Sequence, residues 1–117
     1  MLTIINYHYI RESFKAKYPS IFGMTNSQFK NQLILLKNQG DFVSINEFNN
    51  NYKSLILSKD NFNLITFDDG LKEIYHDVAP ILKRKGIPAT FFINSDFLDN
   101  KALFYRYKAS LLVSHIK

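Results

Sequence analysis

The chain has 117 residues, 46% hydrophobic and 21% charged, with 11 Phe, 7 Tyr, no Trp, no Cys and a net charge of +5. This composition is globular rather than disordered, the length allows one domain at most, and the missing thiols exclude disulfides, thiolate zinc sites and cysteine nucleophiles. The positive balance does not point to nucleic acid, because the lysines are scattered and the densest run, Lys83-Arg84-Lys85, falls at a helix end where cations complement the backbone dipole.

From Met1 to His8 there is no basic region, and the apolar run is too short for a secretory signal. No stretch approaches membrane-spanning length, so the expectation is a cytoplasmic protein with no membrane partner. Leu2 to Tyr7 is apolar and β-branched and reads as a buried first strand. Arg11 to Met24, interrupted by Pro19 and Gly23, reads as a long loop. Thr25, Asn26 and Ser27 offer helix N-caps, and Phe29, Leu33, Leu36 and Lys37 then follow helical spacing, with Ile34 and Leu35 broadening the apolar face. Gly40 is the expected stop.

Phe42-Val43 is a short second strand. Ser44 and Glu47 fit a capping box opening a helix to about Asn50, and Tyr52 to Leu57 is amphipathic and ambiguous. Ser58 to Asn61 is turn-like, and Leu64 to Phe67 is the third strand. Leu71, Ile74, Tyr75, Val78, Ile81 and Leu82 mark one face of a helix from Leu71 to Lys85. Pro80 lies inside that pattern and predicts a kink or a late start. Gly86 and Pro88 end the helix. Ala89 to Ile93 is a fourth strand, Asn94 to Asn100 a polar loop, and Ala102 to Ile116 a last helix. Strands separated by helices give an α/β fold with mainly parallel strands and crossover helices.

The chain is organised around Leu64-Ile65-Thr66-Phe67-Asp68-Asp69-Gly70, a strand running into two carboxylates and a glycine. Ligands in α/β folds bind at the carboxyl ends of strands. Taken alone, Asp-Asp-Gly also reads as a plain turn with a helix cap. As chemistry, adjacent carboxylates in a turn after a strand diverge yet stay close, so one can ligate a divalent metal while the other acts as a general base.

Thr66 to Gly70, followed by Ala79 to Ile93 with Ala89-Thr90-Phe91-Phe92 at its end, resembles the polysaccharide deacetylase (NodB-homology) family, carbohydrate esterase family four. Asn6-Tyr7-His8-Tyr9-Ile10 is similar to the tyrosine-histidine strand end of one branch of that family, and the resemblance covers residues 2 to 98. It implies the N-terminal part of a distorted (β/α) barrel. It also implies hydrolysis of an acetyl group from a sugar, with Asp68 as the base that activates a metal-bound water and Asp69 as a ligand of a divalent metal, usually zinc. His8, at the end of the first strand, is expected on the same rim, beside the site or as a weak ligand.

The chain departs from the family pattern in one respect that matters. The His-Ser/Thr-x-x-His pair that completes the family's metal site is absent from these residues. Of the three histidines, His76 reads as a surface residue and His115 as a helix-end residue. The expectation is therefore a truncated, incomplete copy that binds metal weakly and has little activity alone. An exposed strand edge would favour self-association or a complementing C-terminal polypeptide, with a carbohydrate as substrate. A non-catalytic glycan- or partner-binding module with relic carboxylates is the competing reading. A phosphoacceptor receiver is disfavoured, because receivers carry their acidic pair after the first strand.

Overall fold

The computed structural model describes residues 1–15 and 23–116. In chain order the elements begin with β1 (Leu2–Tyr7), β2 (Ile10–Arg11), β3 (Met24–Thr25), α1 (Asn26–Gln39), β4 (Asp41–Phe42) and α2 (Ile45–Leu57). They continue with β5 (Phe62–Phe67), a π-helical turn (Ile74–Val78), α3 (Ala79–Lys85), β6 (Thr90–Phe91), a 3-10 turn (Ser95–Asn100) and α4 (Tyr105–Ile116).

The sheet is parallel and built on β5. β1 pairs along one side of β5 over its whole length, from Leu2 opposite Phe62 to Tyr7 opposite Phe67. The other side is shared: β4 pairs with Phe62 and Asn63, and β6 pairs with Thr66 and Phe67. With neighbours on both edges, β5 is buried from Asn63 to Phe67. β1 corrects one expectation. It is an edge strand rather than a buried one, and Ile4 is 56% exposed.

α1 begins as its sequence predicts. The Thr25 hydroxyl accepts from the Gln28 N–H, and the Gln28 side chain accepts from the Thr25 N–H. Phe29 and Leu33 pack against Tyr7, Ile10, Ile65 and Phe67 in the main core. Ile34 and Leu35 do not broaden that face and are exposed, because only one side of the helix meets the sheet. The helix stops before Gly40, whose φ of 179° is ordinary extended backbone. Glycine is needed there for close approach, since a Cβ would lie 2.3 Å from the Asn61 carbonyl oxygen.

The Ser44–Glu47 capping box opens α2, which runs on to Leu57 through a kink at Asn51. Residues 52–57 are therefore helical. Pro80 is accommodated by the π turn, in which the Ala79 N–H bonds to the Ile74 carbonyl. Proline lacks an N–H and its ring clashes with the carbonyl four residues back, and the wider turn relieves both problems. α3 ends at Gly86 in a left-handed conformation.

Two further expectations are revised. The segment read as a loop from Arg11 to Met24 lies partly outside the described residues, but its flanks, β2 and β3, form a short parallel pair. The fourth strand is reduced to Thr90–Phe91, and Phe92 and Ile93 beyond it are exposed. The polar loop after it contains the 3-10 turn. No helix among the described residues is long and apolar enough to cross a membrane.

Candidate active site

The parallel register decides what meets at the carboxyl end of the sheet. β1 and β5 end together at Tyr7 and Phe67, and the Asp68 N–H extends the ladder by bonding to the Tyr7 carbonyl at 3.1 Å. The residues that follow each strand therefore share one rim. Asp69 has φ of 73° and Gly70 φ of 62°, so two successive residues are left-handed and the chain reverses sharply. Asp tolerates that region better than most residues. Gly70 has little room for a side chain, because a Cβ would lie 3.3 Å from Ile93 Cγ2.

On the rim, Asp68, Asp69 and His8 come together. His8 Nδ1 lies 3.1 Å from Asp69 Oδ2, and His8 Nε2 lies 3.9 Å from Asp68 Oδ2. Asn6, in β1 and two residues before His8, joins them. Its amide donates to Asp68 Oδ2 at 2.8 Å and lies 3.3 Å from His8 Nε2. The Thr66 hydroxyl donates to Asn6 Oδ1 at 3.0 Å. The network fixes orientations. An ionised carboxylate only accepts, so the Asn6 NH₂ faces Asp68 and its oxygen faces Thr66. With that NH₂ also near Nε2, a neutral His8 carries its proton on Nδ1 and donates it to Asp69.

Tyr9, Arg11, Glu73, Arg106 and Tyr107 form an adjoining shell that sequence reasoning did not reach. Burial pushes the Tyr9 phenol above its usual range, the Asp69 charge adds to this, and the Arg106 guanidinium opposes it. Arg11 pairs with Glu73 at 3.4 Å and donates to the Tyr107 hydroxyl. The Tyr107 phenol is also raised, chiefly by burial, then by Glu73. For Asn6 one signal was available: it lies two residues before His8, in phase with it. The contacts of α4 had no local signal. His76 lies exposed on the π turn and His115 in the last turn of α4; neither belongs to the rim cluster.

The described residues do not by themselves complete a donor set for a divalent transition metal. Among the described residues, no group of three or more His, Asp or Glu side chains is placed to hold an ion, whereas catalytic zinc takes three protein ligands. Asp69 Oδ2 is engaged by His8 and Asp68 Oδ2 by Asn6. The arrangement as it stands can hold a half-exposed carboxylate ready to accept a proton, with a second carboxylate and an imidazole beside it.

Comparison with known proteins follows the same residues. The model of the polysaccharide deacetylase family matches residues 58–111. A poly-β-1,6-N-acetyl-D-glucosamine N-deacetylase of Staphylococcus aureus (strain MSSA476) is 30% identical, over 92% of this chain and 44% of that protein. The chain thus spans less than half the length of the curated relatives it matches. Among solved structures, IcaB from Ammonifex degensii superposes with a TM-score of 0.70 at 24% identity, over 97% of this chain and 49% of that one. The Streptococcus pyogenes deacetylase PplD, in complex with acetate, gives 0.66 at 22% identity, over 96% and 52%. The α/β architecture described above is therefore part of the IcaB-type deacetylase fold.

Proposed function

The chain belongs to the polysaccharide deacetylase family, and we propose that it supplies the base-bearing part of a site that hydrolyses acetyl groups from an amino-sugar polymer. The observation that carries this reading is the Asn6–Asp68–His8–Asp69 network at the carboxyl end of the parallel sheet. Asp68 is the proton acceptor. Its carboxylate is oriented by the Asn6 amide and partly open to solvent, so a water can approach its free oxygen. His8 holds Asp69 in a fixed rotamer next to it. The chemistry the family draws from a divalent metal needs ligands beyond the described residues, and Asp69 is the carboxylate we assign to join them. The N-deacetylase activity named for the Staphylococcus aureus relative supports an N-acetylated substrate over an O-acetylated one.

A second reading is favoured by one observation. Both carboxylates are already hydrogen-bonded to side chains of this chain, as relic carboxylates in a glycan- or partner-binding module can be. The two readings separate on acetate. The protein that carries this chain is incubated with an N-acetylglucosamine oligomer, with and without a chelator, and released acetate is measured. We expect release that disappears on Asp68→Asn. Oligomer binding with no acetate under any metal condition would overturn the hydrolase reading in favour of the binding module.

A further inference from the structure

We propose that the outward face of α4 is a self-association surface on which a second copy of this chain docks. The proposal is independent of the chemistry assigned to the rim. A surface helix of a folded domain turns its apolar stripe toward the core. α4 does the reverse. Its least exposed residues are Tyr107, Ser110 and Ser114, on the side tied to the body by the bond from Arg11 to the Tyr107 hydroxyl. Tyr105, Ala109, Leu112 and Ile116, at intervals of three and four residues, form one stripe on the other side, and all four are exposed. Leu112 is 64% exposed and Ile116 83%. No residue of the helix is buried.

A two-fold pair needs a surface that complements itself, and α4 carries both halves of one. Beside the stripe lies a groove of about 460 Å³, lined by Leu103, Lys108, Leu111, Leu112 and His115. The stripe of one helix fills the groove of its copy, and reciprocally. Ala109, in the middle of the stripe, lets the two backbones approach, and antiparallel packing sets the helix dipoles in opposition. The area is sufficient. The chain exposes 8134 Å², whereas a folded monomer of 13.7 kDa exposes about 6,600 Å². The excess of about 1,500 Å² is larger than the roughly 800 Å² that each partner contributes to a stable interface.

The charges on this face argue against an anionic occupant. Anionic membrane surfaces hold clusters of about four to eight cations. α4 offers Arg106 and Lys108, with His115 in its last turn, and Arg106 is turned to the Tyr105 hydroxyl at 3.1 Å. Lys108 lines the groove, where its aliphatic stem covers a partner's apolar side chains while the ammonium stays in water. α4 carries no carboxylate, so the cations of two paired copies repel. They are exposed, and salt screens repulsion between exposed charges. The sign of the salt effect therefore identifies the occupant: a second copy binds more tightly as salt rises, and an acidic partner less tightly.

The test is analytical ultracentrifugation of the protein that carries this chain, at low salt and at about 0.5 M NaCl, with hydrogen exchange of α4 followed at low and high protein concentration. We expect a reversible dimer whose affinity rises with salt, and α4 amides that exchange more slowly as the dimer forms. Leu112→Glu and Ile116→Glu should each weaken it about a hundredfold, about tenfold from each copy. Both residues face away from the body, so circular dichroism should show an unchanged fold. Leu35→Glu, at an exposed leucine of α1, should leave the dimer intact. A monomer at every concentration overturns the proposal, and one that sediments with phosphatidylglycerol vesicles assigns the face to a lipid surface instead. A dimer indifferent to both α4 variants overturns it in favour of the open edge of β1. Affinity that falls with salt overturns it in favour of a charge-driven contact. Should the variants unfold, exchange in the wild-type dimer decides: protection of α4 sustains the proposal and unchanged exchange removes it.

Discussion

Asn6 and Asp68 are 62 residues apart in sequence, yet the Asn6 amide donates to Asp68 Oδ2 at 2.8 Å. The contact follows from register: Asn6 pairs with Thr66 across the parallel ladder, and Asp68 comes two residues after Thr66, just past the end of β5. Thr66 holds the other end of the amide. Removing this support with Asn6→Ala frees the Asp68 rotamer. Groups that orient a catalytic side chain typically contribute about 10–100-fold. Acetate release should fall within that range while stability changes by less than about 1 kcal/mol, since the bond is solvent-exposed. An unchanged rate would remove Asn6 from the site.

Asn63 is a buried polar residue, 3% exposed, in the middle of the sheet. Its side-chain amide donates to the Leu36 carbonyl at 2.8 Å and the Gly40 carbonyl at 3.1 Å. The Leu36 carbonyl already accepts from the Gly40 N–H at 3.0 Å, so the Asn63 amide is its second donor, and by bonding to Gly40 as well it ties the end of α1 to β5. Asn63→Ala leaves both carbonyls without this donor and should cost about 1–3 kcal/mol. Urea denaturation gives the value. A midpoint equal to wild type would mean that the Asn63 amide adds nothing to the end of α1.

What was legible in the sequence was local. The Thr25 and Ser44 caps, the stop before Gly40, the disturbance at Pro80 and the strand ending at Phe67 each depend on a few adjacent residues, and all appear in the structure. Illegible features depended on pairing. Whether Ile34 and Leu35 are covered depends on which elements flank α1, and the burial of β1 depends on its place in the sheet. The pairing of β2 with β3 joins two short stretches that carry no strand signal of their own. In the candidate site, Asp68, Asp69 and His8 could be placed on one rim because strand ends share a rim in parallel sheets. Arg11, Glu73 and Tyr107 could not, because Arg11 reaches α4 across 96 positions.

Stability should fall at high pH through Tyr7. Its hydroxyl donates to Gln32 Oε1 at 2.7 Å, and burial pushes its pKa up to about 12 from 10.0. The folded state therefore keeps a proton that the unfolded chain loses above pH 10. The associated stability is fully present below pH 10 and declines as pH rises toward 12, by about 1.4 kcal/mol per pH unit. Tyr9 and Tyr107, also raised, act in the same direction. Urea midpoints from pH 9 to 12 should fall less steeply in Tyr7→Phe than in wild type. Identical slopes would show that Tyr7 is not responsible.

Asp69 is held in a backbone conformation that costs energy for a residue with a Cβ. Its φ is 73°, and the next residue, Gly70, is left-handed as well. Glycine adopts this region freely, Asn and Asp tolerate it, and alanine does not. Three substitutions therefore separate backbone strain from side-chain function. Asp69→Gly relieves the strain and gives up the hydrogen bond from His8, so its stability should be close to or above wild type. Asp69→Asn keeps the tolerance and an acceptor oxygen and should be near neutral. Asp69→Ala loses both and should be lower by about 1–2 kcal/mol. If the carboxylate is retained for function, all three should abolish acetate release while stability ranks Gly, Asn, Ala from high to low. The two rankings would then be uncoupled, as expected where strain is kept at a functional site. A stability order with Ala above Gly would show that the turn is not strained and that the carboxylate has a structural role.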